Sequence, residues 1–238
     1  MRIISRLDTK NEFVIKGINL EGLRKIGDPL KLAKKYYSDG VDEIIFIDSV
    51  ASLYSRNNLF HILEKTVEEV FIPITLGGGI RSLKDIYKAL SSGADKVSIN
   101  SFATEKPFFI KDAVNEFGSS TITIYIEAKK IGKKKWEVYK YYGREKTGID
   151  LIEWIKKVQD YNCGEILLTS IDFEGLQKGF DTELLDEVYN VIEKPLIFSG
   201  GCGTVEHVNT IKKNYPKVSL SIASAFHYNK ISPHKIKK

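Results

Sequence analysis

The chain has 238 residues, 42% hydrophobic and 28% charged, an ordinary composition for a soluble domain and long enough for one large core. No apolar run approaches the ~18 residues that cross a bilayer, and Met1 to Arg6 is too short for a secretion signal, so a cytoplasmic protein without membrane contact is expected. Lys+Arg 36 against Asp+Glu 31 leaves +5, which suits anionic small molecules as readily as nucleic acid, and two cysteines, Cys163 and Cys202, are too few for a disulfide framework or metal cluster.

Apolar runs of strand length alternate with helix-period segments from end to end, the pattern of βα units around a parallel sheet. Strands are predicted at Arg2 to Asp8, Glu43 to Asp48, Pro73 to Leu76, Lys96 to Asn100, Thr121 to Glu127, Glu165 to Ser170, Pro195 to Ser199 and Val218 to Ala223. Eight such strands close a (β/α)8 barrel, read as a single domain over residues 1–238. Helices are expected at Asp28-Pro29 to Ser38, Asn57 to Val70, Ser82 to Leu90, Lys106 to Phe117, Ile149 to Tyr161, Thr182 to Ile192 and Val205 to Lys213, with a short last one in Ser232 to Lys238. The first opens on Asp28 as N-cap with proline next. Two insertions interrupt the beat. Thr9 to Gly27 reads as a long polar loop over the first strand, placed to act as a lid. Lys129 to Gly148 holds the alternating Trp136-Glu137-Val138-Tyr139-Lys140-Tyr141, a small hairpin whose Lys133-Lys134-Lys135 tip is a solvated turn rather than a nucleic-acid patch.

Gly77-Gly78-Gly79-Ile80-Arg81-Ser82 follows the third strand and opens onto a helix, a placement that lets backbone N–H groups hold a phosphate. Ser199-Gly200-Gly201-Cys202-Gly203-Thr204 repeats the plan. The shift that carries Gly77 onto Gly200 also carries Lys96-Val97-Ser98-Ile99-Asn100-Ser101 onto Ser219-Leu220-Ser221-Ile222-Ala223-Ser224, and one residue less carries Asp42-Glu43-Ile44 onto Gly164-Glu165-Ile166. The chain thus reads as two similar half-barrels of roughly 120 residues. The first cradle would use Gly78, Gly79, Asn100 and Ser101, and the second Gly175, Gly200, Gly201, Ala223 and Ser224. Thr169, Glu174 and Ser199 belong to the same substrate-facing set. A long substrate with a phosphate at each end is the expectation.

Asp8 closes the first strand and Glu127 the fifth, so they should face each other across the mouth as an acid and base pair. At the opposite end Arg2, Glu43, Lys96 and Glu165 start strands 1, 2, 4 and 6 and should meet on the axis as a paired polar plug able to gate something small. His61, His207, His227 and His234 are scattered, so neither a metal nor a cofactor is expected, and His227 belongs to packing after the last strand.

Leu7-Asp8, Val14-Ile15-Lys16-Gly17, Gly27-Asp28-Pro29, Phe46-Ile47-Asp48, Gly77-Gly78-Gly79-Ile80, Gly93 to Asn100, Gly164 to Asp172, Ser199-Gly200-Gly201 and Ala223-Ser224 with Phe226-His227 together make the chain resemble the HisF family, the cyclase subunit of imidazole glycerol phosphate synthase. The resemblance implies a (β/α)8 barrel that receives ammonia from a glutaminase (HisH-like) subunit docked at its N-terminal face. It further implies that a phosphoribulosyl-formimino bisphosphate is turned into imidazole glycerol phosphate and aminoimidazole carboxamide ribotide. Asp8 would be the general acid and Glu127 the general base, with Lys16 on the lid touching substrate and Arg2, Glu43, Lys96 and Glu165 forming the ammonia gate. Several positions depart from the family: Glu127 and Glu174 stand where Asp is usual, Leu176-Gln177 replaces the usual Thr-Lys, and Arg6 and Tyr125 point inward where small residues are usual. A buried Arg6 requires an anion, Asp8 or Glu127, and would lower the pKa of Asp8 and weaken it as an acid. A paralogue that supplies ammonia to a surface-sugar precursor, or a non-catalytic ammonia conduit, remains an alternative at this point.

Overall fold

The computed structural model describes residues 1–51 and 59–237. Eight parallel strands form a closed ring in the order β1 (Ile3–Lys10), β4 (Glu43–Asp48), β5 (Ile74–Gly77), β6 (Lys96–Ile99), β7 (Ile122–Gly132), β10 (Glu165–Ser170), β11 (Leu196–Ser199) and β12 (Ser219–Ile222), with β12 pairing back onto β1. Their burial on both faces explains why they read as near-continuous apolar runs. Alternate side chains divide into two sets. Ile3, Leu7, Ile44, Phe46, Val97, Ile124 and Leu168 face the helices in one large core. Ile4, Ile45, Ile47, Tyr125, Leu167 and Ile197 form a separate cluster inside the barrel. The positions paired by the internal shift fall on strands four places apart round the ring: Gly77 with Gly200, and Lys96 with Ser219.

The helices start where their caps dictate. Asp28, Ser82, Asp150, Asp181 and Thr204 each accept a bond from a first-turn N–H, fixing helices at Pro29–Ser38, Leu83–Ser91, Leu151–Asp160, Thr182–Tyr189 and Val205–Asn214. The helix expected from Lys106 is found at Phe108–Phe117, and a further short helix, Ser101–Glu105, precedes it, the two separated at Lys106-Pro107 because proline cannot continue the first. The second expected helix is found at Phe60–Val67, its proposed start at Asn57 lying outside the described residues.

Both insertions are sheet. The segment expected as a polar loop is an antiparallel hairpin, β2 (Phe13–Ile18) and β3 (Glu21–Gly27), continuing from β1. Asn19 and Leu20 carry it through the left-handed region (φ 50° and 64°), the two-residue turn whose twist matches flanking strands. The second insertion extends β7 into a three-stranded meander with β8 (Lys135–Lys140) and β9 (Glu145–Asp150). Its lysine tip is an exposed turn at Lys134.

Candidate functional site

Asp8 and Glu127 both point into the barrel mouth from opposite strands and both are buried. Their surroundings are unlike. Asp8 Oδ1 accepts from Arg6 Nε at 2.7 Å, and Oδ2 lies 3.4 Å from Lys16 Nζ. Burial opposes the charge on Asp8, but Arg6 and Lys16 outweigh it and hold the carboxyl below its usual range. Glu127 accepts one bond, from the Gly143 N–H at 3.0 Å to Oε2. Here burial prevails over that bond and over the Tyr125 hydroxyl, pushing Glu127 up to about 7. The longer glutamate therefore holds a proton near neutrality while Asp8 does not.

Arg6 spends its two remaining nitrogens on Thr169 Oγ1 at 2.8 Å and Tyr125 Oη at 2.7 Å. Lys16, carried in by β2, is buried and ion-paired to Glu174 as well as Asp8. In this conformation Thr169 and Glu174, expected to face substrate, are engaged by Arg6 and Lys16 instead. The hairpin is fastened over them: Asn19 N–H donates to Glu174 O at 2.7 Å, and Asn19 Nδ2 donates to Ile171 O and Asp172 O, each at 2.8 Å. A Cβ on Gly175 would stand 2.3 Å from Gly17 O, so glycine lets the loop after β10 meet the hairpin.

Gly78, Gly79, Asn100 and Ser101 converge on a cavity of about 30 Å³ that also reaches Glu127 and Tyr142. The segment after β8 roofs it. Tyr141 N–H donates to Ser101 Oγ at 3.0 Å, and Tyr142 packs with Leu20 and Ile171, joining the two insertions above the mouth. Tyr141, Tyr142 and Gly143 all have positive φ (54°, 61°, 71°), a conformation that costs a tyrosine about 1–2 kcal/mol and that these contacts must offset. Sequence reasoning missed this roof and the Gly143 N–H; the Tyr-Tyr-Gly run in the second insertion was the available signal.

At the second cradle Gly200 and Gly201 follow β11 in the left-handed region, and Ala223 and Ser224 follow β12 beside them. A Cβ on Gly200 would stand 2.8 Å from Ser170 O and one on Gly201 1.8 Å from Gly179 O, so chain approach alone already requires glycine there. Ser199, Ala223 and Ser224 are buried, and Gly200 lies beside Glu174. His227 bonds Tyr36 Oη at 2.7 Å, and burial drives it down to about 3, so it is neutral packing.

At the opposite end the four charges close a ring. Arg2 pairs with Glu43 at 2.5 Å and with Glu165, and Lys96 Nζ lies 3.0 Å from each glutamate. Among the described residues no group of three or more His, Cys, Asp and Glu is placed to hold a metal ion, and no helix is long and apolar enough to cross a membrane.

A family model described as histidine biosynthesis protein matches residues 2–232. The imidazole glycerol phosphate synthase subunit HisF of Legionella pneumophila is 50% identical over 209 residues, covering 88% of this chain and 99% of that protein. The HisF subunits of Bacillus cereus strains Q1 and G9842 are each 43% identical over 237 residues, covering 100% of this chain and 94% of theirs.

Proposed function

This chain belongs to the histidine biosynthesis protein family, and from that premise we propose that it is the cyclase subunit of an imidazole glycerol phosphate synthase. It uses ammonia from a glutaminase partner to cleave and cyclise a phosphoribulosyl-formimino bisphosphate into imidazole glycerol phosphate and aminoimidazole carboxamide ribotide. The observation that carries this reading is the unequal carboxylate pair, Asp8 and Glu127, facing one another at a mouth flanked by two glycine turns. Attack by ammonia leaves a nitrogen with a proton to lose and an oxygen with one to gain, so the site needs a base and an acid together. Asp8, kept ionised by two cations, suits the base. Glu127, which retains a proton near pH 7, suits the acid. This exchanges the roles that the family resemblance implies: Arg6 and Lys16 keep Asp8 ionised, and burial keeps the proton on Glu127.

The cradle residues bind the two phosphates once the insertions part, since a cavity of about 30 Å³ holds little more than water. Lys16 then exchanges Glu174 for a phosphate or a substrate oxygen. The glutaminase docks on the N-terminal face, where the charged ring opens and Phe71, just before β5, stands 74% exposed.

The test is turnover of the bisphosphate with excess ammonium salt, which bypasses the glutaminase. Wild type should turn over, and Glu127→Gln should lose roughly 10²- to 10⁴-fold, the usual worth of a positioned acid. Rates taken per concentration of unprotonated ammonia should fall as pH rises through about 7, where Glu127 loses its proton. A wild-type protein that is folded and does not turn over, or a Glu127→Gln variant of full activity, overturns the assignment.

A further inference from the structure

The barrel interior above the charged ring is built in layers, each drawn from alternate strands. The layer that holds Arg6 on β1 holds Tyr125 on β7, four places away round the ring and so directly opposite. The Arg6 guanidinium donates to Tyr125 Oη at 2.7 Å, and its carbon lies 4.9 Å from the centroid of the Tyr125 ring. The two side chains thus join opposite walls across the axis. On the β5 side the space beside them is narrowed by Ile47 and Ser98: a Cβ on Gly77 would stand 2.6 Å from Ile47 Cδ1 and 2.9 Å from Ser98 Cβ.

Between this bridge and the charged ring below lie the inward positions Thr75, Ser98, Thr123 and Ser221. All four are buried, at 1%, 2%, 0% and 1% exposure, and none of their hydroxyls has a hydrogen-bond partner. Ser98 and Thr123 are register neighbours across β6 and β7, and Ser221 pairs with Ile4 of the interior cluster. A buried hydroxyl without a partner is costly, and four of them in adjoining layers describe a compartment suited to a small molecule that both donates and accepts hydrogen bonds.

We propose that the Arg6–Tyr125 bridge is a closure across the barrel axis, which holds a small neutral hydrogen-bonding molecule in the hydroxyl-lined compartment beneath it until the bridge parts. On the proposed reaction, on which the identity of the cargo rests, that molecule is ammonia admitted through the charged ring. Arg6 is also tied to Asp8 on its own strand and to Thr169 on β10, the neighbour of β7, so its bonds to Tyr125 and Thr169 together span the barrel. The bridge parts when Arg6 gives up these two partners on the far wall while keeping its hold on Asp8.

Tyr125→Phe removes one of the two spanning bonds and keeps the ring. Two measurements on it separate the closure from the reaction. In the isolated chain, nitrogen-15 spectra give the solvent exchange rate of the Arg6 Nη2–H protons, which donate to Tyr125 and should be strongly protected in wild type and roughly tenfold faster in Tyr125→Phe, as expected for the loss of one hydrogen bond to a charged group. In the complex with its glutaminase, product formed per glutamine hydrolysed, taken relative to the variant's own ammonium-driven turnover, should fall by about the same factor as the exchange rises. Exchange at solvent rates in wild type overturns the closure. So does protection that Tyr125→Phe leaves unchanged, or faster exchange with undiminished product per glutamine. If wild type fails to turn over with ammonium, the reaction is wrong and the cargo with it, and the exchange measurement still decides whether the axis is closed.

Discussion

The protonation of Glu127 couples the site to the stability of the fold. Its carboxyl is raised from 4.5 to about 7 by burial, so the folded state binds this proton more tightly than the unfolded chain does. As pH rises from about 4.5 the unfolded state loses the proton first and stability falls, until the folded pKa near 7 is passed and the cost is constant at about 3 kcal/mol. Glu127→Gln, which keeps an oxygen for the Gly143 N–H, should therefore be more stable than wild type at pH 8 by up to about 3 kcal/mol, with the gain vanishing near pH 4.5. Urea unfolding at the two pH values checks this. Much at this scale was legible beforehand. Strand parity placed Arg6 inside, the expense of an unpaired charge demanded an anion, and Asp8 supplies it. Lys16 was less legible. A reach toward substrate was the expectation, and its pairing with Glu174 depends on how far the hairpin folds over, which spacing does not encode.

Among the elements, the β2–β3 hairpin and the segment after β8 act together because Leu20 of one packs on Tyr142 of the other. Asn19 is the fastening. It occupies φ 50°, which asparagine tolerates, and its side chain donates to two carbonyls of the loop after β10. Asn19→Gly should keep the turn and lose the side-chain bonds. Asn19→Ala should lose both, loosening the closed hairpin by a further ~1 kcal/mol. Hydrogen exchange of the Phe13–Gly27 amides should therefore rank wild type slowest, glycine next and alanine fastest; equal rates in all three would mean that the side chain fastens nothing. The hairpin itself was hidden in the sequence because its turn is Asn19-Leu20 rather than the usual Asn-Gly, and because the polar residues of β3 masked its alternation. The meander showed itself through Trp136 to Tyr141, which alternate cleanly. The eight barrel strands were readable because burial on both faces leaves continuous apolar runs, and their errors are confined to ends.

Across the whole molecule, the ion-paired charges inside the barrel fall into two sets of four. Arg2 and Lys96 balance Glu43 and Glu165 at the bottom, and Arg6 and Lys16 balance Asp8 and Glu174 at the top. Each quartet sums to zero. Glu127 belongs to neither and, among the described residues, forms no salt bridge with a lysine or arginine, so ionising it would add an unbalanced negative charge to the mouth, which agrees with its high pKa. A divalent anion entering the mouth sharpens that imbalance, since the charge it brings must be accommodated beside Glu127. Binding should accordingly draw a proton out of the solvent. Sulfate, which does not itself titrate at pH 7.5, is a suitable probe: its heat of binding should depend on the ionisation enthalpy of the buffer in wild type and not in Glu127→Gln. The barrel then behaves as an acceptor of acid as well as of phosphate, and its affinity for doubly charged ligands is set by the acidity of its surroundings as much as by the glycines that hold them.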